Sequence, residues 1–154
     1  MPTCSIWEAA ARPANGGDFM SAMRFAALVG ALAFLSTPAA AQTISWDGAT
    51  WLVEDIAGRG VIDNAQTTLV IGPDGKTSGS TGCNRFIGKA TIAGDRIRFG
   101  QMGVTLRACP PALGDQERKF LTALKQARAA RLDAMGRLQI LSESGEALLT
   151  LTRL

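Results

Sequence analysis

Lys76 to Pro111 reads KTSGSTGCNRFIGKATIAGDRIRFGQMGVTLRACPP, and this stretch decides the fold. Short alternating runs are broken at close intervals by Gly and Asp, the pattern of an antiparallel meander. Phe86 to Ile92 reads as one strand, with Gly88 as a bulge or bend. Ala93-Gly94-Asp95 turns the chain. Arg96 to Phe99 alternates Arg, Ile, Arg, Phe, so one face is charged and the other apolar. Val104 to Cys109 alternates again, with Val104, Leu106 and Ala108 on one side and Thr105, Arg107 and Cys109 on the other. Cys83 and Cys109 both lie in this stretch; the third cysteine is Cys4.

Upstream, Trp46 and Trp51 flank the turn signal Asp47-Gly48 and read as core or barrel-closing residues. Trp51 to Ile56 is a strand closed by Gly58 and Gly60, and Thr67 to Ile71 is a short β-branched strand. Gly72-Pro73-Asp74-Gly75 then turns into Lys76 to Gly82, completing a hairpin. Downstream, Pro110-Pro111 ends the strand and one helix follows. Asp115 suits its N-cap or first turn, and Glu117 also suits the positive end of the helix dipole. Phe120, Leu121, Leu124 and Ala127 share a face, and Lys125, Arg128 and Arg131 sit late in the helix as a solvated basic face. Met135-Gly136 and Ser144-Gly145 are turn pairs around Arg137 to Ser142, and Ala147 to Leu154 is the last strand. The order predicts an α+β domain: a curved, mostly antiparallel sheet forming a small open β-barrel packed with one α-helix.

The N-terminus reads as targeting sequence. Met23-Arg24 precedes the apolar run Phe25 to Leu35, too short to span a bilayer, and Ala39-Ala40-Ala41 supplies an A-x-A cleavage site before Gln42. Residues 1–22 read as an extension ahead of a true start at Met20 or Met23, residues 23–41 as a signal peptide, and residues 42–154 as a single domain. No Cys directly follows the cleavage point, so no lipid anchor is expected, and no later apolar run is long enough to cross a membrane after signal removal. The expected product is a periplasmic or secreted monomer.

Composition narrows the chemistry. Hydrophobic residues make up 47% of the chain, ample for a core, and the net charge is +3. That charge is too small to imply nucleic acid, which needs cations clustered on one face. The chain has no His and no Tyr, so the usual general base and the commonest metal ligand are missing. Asp47, Glu54, Asp55 and Asp63 match no calcium-loop spacing, and Ser78-Gly79-Ser80 has no base beside it. No cofactor, no metal and no enzyme activity are expected.

Trp51-Leu52 with Ile56 and Gly58, Gly82-Cys83-Asn84-Arg85-Phe86 with Gly88, and Thr105-Leu106-Arg107-Ala108-Cys109 together resemble the META domain, also called HslJ-like. The helix with Glu117, Phe120 and Leu124 and the strand Leu138-Gln139-Ile140 fit the same pattern, so the resemblance covers roughly residues 45–154. It implies a cracked β-barrel with one helix, similar to a secretion pilotin. It also implies an exported or envelope protein linked to heat shock, antibiotic tolerance or motility, and a pair between Cys83 and Cys109. Export supplies the oxidising compartment that a structural disulfide needs, whereas a redox pair or half a metal site fits poorly without C-x-x-C or His.

Asn84, Arg85 and Arg107 are the candidate partner-binding residues, brought together by that bridge; Asn84 also suits a turn-stabilising role. The expected function is non-catalytic binding of an unknown envelope protein. The alternative is a carrier or chaperone sheltering a small apolar ligand, an acyl chain or an apolar peptide, in the barrel. A hydrolase or redox enzyme ranks last. N-terminal sequencing of the protein from its native host should start at Gln42; an intact Met1 on a cytoplasmic protein would refute the targeting reading.

Overall fold

A computed structural model describes residues 43–154. The extension at 1–22 and the signal peptide at 23–41 lie outside the described residues. Nine strands and one helix follow in chain order: β1 Thr50–Ile56, β2 Thr67–Ile71, β3 Lys76–Thr81, β4 Arg85–Ala93, β5 Arg96–Phe99, β6 Gly103–Val104, α1 Pro111–Gln126, β7 Ala129–Leu132, β8 Leu138–Leu141 and β9 Ala147–Arg153. The sheet order is β3-β2-β1-β9-β8-β7-β5-β4, and β4 pairs back onto β3. Eight antiparallel strands therefore close into a barrel, with β6 lying against the first half of β4.

The expected small barrel with one helix is what the chain forms, except that the barrel is closed and not open, since β4 pairs with β3 and β5 with β7. Closure comes from the Gly-rich hairpin β3–β4, whose register runs unbroken from Lys76↔Lys89 to Ser80↔Arg85. The thinnest seam joins β5 to β7 through the single pair Arg96↔Ala129. Two bonds flank it, from the Ile97 N–H to the Arg128 carbonyl at 3.1 Å and from the Ala130 N–H to the Asp95 carbonyl at 2.7 Å.

Alternation along the strands turns one row of each inward. Val53, Leu69, Ile71, Phe86, Ile97, Leu138, Ile140, Leu149 and Leu151 fill the interior and are almost completely buried. The helix closes one side with Phe120, Ala123 and Leu124, and the Phe120 ring tilts against Phe86 at 5.4 Å between centroids. Trp51 joins this core and Trp46 packs against it.

Several local expectations need correction. Proline stands at the first helical position, where its missing N–H costs nothing, so the helix starts at Pro111. Asp115 is thus one turn further in, and it pairs with Arg118 and Lys119 instead of capping. The helix also ends earlier, at Gln126. Arg128 lies just beyond and donates to the Lys125 and Ala127 carbonyls at 3.0 and 2.7 Å, while Arg131 belongs to β7. Gly88 is no bulge, because the β3–β4 register does not shift there. It makes room for Met102, whose sulfur lies where a Cβ would stand. The shift in β1 falls between Val53 and Asp55. Beyond Val104 the chain leaves the sheet, so Thr105 to Cys109 is not a strand.

Gly79 marks the tightest point. A Cβ there would overlap the Thr68 carbonyl oxygen and press on the Phe86 ring. Backbone cannot yield as a thioether can. Gly79→Ala should therefore lower unfolding free energy in urea by about 1–3 kcal/mol or more, and Gly88→Ala by distinctly less. Equal losses would contradict this packing.

Candidate functional site

The β3–β4 loop is three residues long, Gly82, Cys83 and Asn84, and Gly82 takes φ 93° to make the turn. Thr81 and Asn84 face each other across the turn: the Thr81 N–H donates to the Asn84 carbonyl at 2.8 Å, and the Asn84 N–H to Thr81 Oγ1 at 2.9 Å. Thr81 Oγ1 in turn donates to the Glu117 carboxylate, joining the loop to the helix.

Asn84 is buried, and its side chain is engaged at both ends. Its Oδ1 accepts from Thr105 Oγ1 at 2.9 Å and from the Arg107 N–H at 2.8 Å. Its Nδ2 points to Cys109 Sγ at 3.4 Å. The side chain thus takes the place of a strand partner for the segment after β6. Cys83 and Cys109 are joined by a disulfide with Cα atoms 6.1 Å apart, across 26 residues of sequence. One further link ties the segment to β4, since Thr105 donates its N–H to the Arg85 carbonyl at 3.0 Å and its Oγ1 accepts the Arg85 N–H at 3.1 Å.

The structure therefore brings Cys83, Cys109, Asn84, Arg85 and Arg107 to one end of β4. Their roles differ. Asn84 lies beneath the surface as a positioning residue, whereas Arg85 and Arg107 are exposed. Among the described residues, neither arginine takes part in an ion pair. Thr81, Thr105 and Glu117 complete the constellation; Thr105 and Glu117 lie in segments of the family pattern, whereas Thr81 carries no motif. The hint for Thr105 is its place two residues before Arg107 in a segment tied by Cys109.

Elsewhere the polar groups serve the fold. Asp55 accepts the Gly58 and Gly60 N–H groups, and Gln116, buried, bridges the Ile62 N–H and Thr67 Oγ1. Four carboxyls sit below their ordinary range, each stabilised as the anion by hydrogen bonds. Asp47 is held by Arg153, Asp74 by Lys76 and Asp115 by Lys119, while Asp133 is held first by the Arg137 backbone. Among the described residues no cluster of three or more Cys, Asp or Glu could hold a metal ion.

The family model described as the META domain matches residues 42–153. The chain belongs to the META-domain family. No curated protein matches this META domain. A protein from Burkholderia xenovorans, solved by NMR, is 25% identical with a TM-score of 0.59, covering 77% of this chain and 94% of its own. A second protein solved by NMR is 21% identical with a TM-score of 0.54, covering 71% of this chain and 94% of its own. The first covers most of both chains, and the second speaks for the fold alone.

The bridge and Asn84 hold the same segment, which makes their energies coupled. Closing this loop contributes about 3–4 kcal/mol on chain-entropy grounds. Cys83→Ser with Cys109→Ser should cost about that much, and Asn84→Ala about 1–3 kcal/mol through the donors it strands. A urea double-mutant cycle between the two changes should show clear non-additivity; simple additivity would mean the bridge and the amide act independently.

Proposed function

We propose that this META domain is an exported, non-catalytic binding module that takes an anionic group of an envelope partner beside the Cys83–Cys109 bridge. One observation carries the reading. Arg85 and Arg107 stand exposed and outside any ion pair among the described residues, on a segment immobilised by a disulfide and by Asn84. Fixing in advance the backbone that carries two cations lowers the ordering cost of capturing an anion.

Two further features support binding over catalysis. The chain has no His, and its shifted carboxyls move down, away from the neutral range where acid–base catalysis operates. The interior of the barrel is occupied by Leu69, Phe86, Phe120, Leu138 and Leu149, all essentially inaccessible, so an acyl chain would have to displace core. The open groove of about 400 Å³ between Ile56, Arg59, Lys119 and Leu148 lies beside the helix, outside that core.

The test is salt-dependent retention on immobilised heparin, used as a generic polyanion. Arg85→Ala with Arg107→Ala should elute at clearly lower salt than wild type with an unchanged melting temperature. A substitution at Arg128, which caps the helix, should shift elution less. Equal elution of the double variant and wild type would reduce the two arginines to a solvated surface.

A further inference from the structure

Charge is unevenly placed in this chain. Between Lys76 and Arg107 lie six basic residues and one acid, Asp95, although the whole chain carries only +3. The remainder is therefore net negative, and the fold decides whether the basic stretch forms one surface.

Strand parity shows that it does. Inward-facing Phe86 and Ala90 leave Arg85, Ile87, Lys89 and Thr91 exposed on the outer row of β4. The register sets Arg98 opposite Thr91 and Arg96 opposite Ala93, so two arginines of β5 extend that row sideways. Arg107 adjoins its other end through the pairing of Thr105 with Arg85. Lys76, opposite Lys89, is neutralised by Asp74 at 2.9 Å. Arg85, Lys89, Arg96, Arg98 and Arg107 have no ion-pair partner among the described residues.

The same segments expose aliphatic side chains. Ile87 stands between Arg85 and Lys89 at 69% exposure, and Leu106, beside Arg107, is 97% exposed. Single exposed aliphatics are ordinary, but these two stand among unpaired cations. Both aromatics of β4 and β5 turn inward, Phe86 fully and Phe99 packed against the core, so the face offers no exposed ring for base stacking. Cations interleaved with exposed aliphatic residues are the composition of a surface that lies in a membrane interface.

We propose that the outer face of β4 and β5, with the Thr105–Arg107 segment, docks on an anionic phospholipid bilayer. The five cations meet the phosphates, and Ile87 and Leu106 enter the boundary between headgroups and acyl chains. This rests on the reading that the basic surface binds anions, and it names the partner.

Vesicle co-sedimentation tests it with the full chain, alongside heparin retention. Wild type should pellet with mixed phosphatidylcholine–phosphatidylglycerol vesicles, weakly with pure phosphatidylcholine, and less as salt rises. Arg96→Glu with Arg98→Glu should weaken vesicle binding by at least about five-fold per cation removed. Ile87→Ser with Leu106→Ser should weaken it about ten-fold, and more than it weakens heparin retention. All four positions are solvent-facing, so melting temperatures should stay close to wild type. The apolar run Phe25 to Leu35 is common to every variant and cancels in the comparison. Equal pelleting with neutral and anionic vesicles, or no effect of either double change, overturns the docking face. Heparin retention without vesicle binding overturns the bilayer but keeps the anion-binding reading, and capture of single-stranded RNA instead would make the partner a nucleic acid. Loss of both heparin and vesicle binding in wild type would remove both readings.

Discussion

Phe86 leaning across Gly79 onto Phe120 is the contact on which this barrel depends. A hairpin curved this tightly needs a residue without a side chain on its inner row, and Gly79 supplies it. The space it leaves is taken by the Phe86 ring from the neighbouring strand, which restores the buried area the glycine gives up. Phe120 then locks the helix over the same ring. Closure of β3 on β4, coverage by the helix and the position of the disulfide loop all follow from that one stack. The loop sits at the end of the same two strands.

The disulfide end is built from the inside outward. A buried amide, Asn84, substitutes for a strand edge and holds the segment from Thr105 to Cys109 in place. Its polar capacity is spent within the chain, so it steadies neighbours instead of meeting a partner. The arginines beside it are the reverse case, ordered at the backbone and free at the tip. On the proposed binding role, a rigid backbone under guanidinium groups that have no ion-pair partner among the described residues suits diffuse negative charge better than one small molecule.

Much of this was legible in the chain, and the exceptions have physical causes. β2 and β5 lie where Thr67–Ile71 and Arg96–Phe99 predict them, because turn residues bracket both. β7 was hidden: Ala129–Leu132 is short and follows the helix with hardly a break, so its residues extend the helical pattern. The alternation from Val104 to Cys109 looks like a strand and fails to be one, because the edge it would pair with is replaced by a side chain. The cysteine pair was visible from the family pattern and the expected export. The basic face was not, since Arg85 and Arg98 become neighbours only through the β4–β5 register, and a net charge of +3 averages the asymmetry away.

The seam between β5 and β7 has a thermal consequence. Elsewhere the wall is sewn by ladders of backbone hydrogen bonds, but here one residue pair and two hydrogen bonds carry the join. What keeps the edges together is apolar cohesion, with Phe120, Leu124 and Ala127 packed in the same core as Ile97 and Ala130. Apolar cohesion fades on cooling, unlike a peptide ladder. The circumference of this barrel is therefore closed by a clasp that slackens in the cold, and the slack falls next to the arginines of β5.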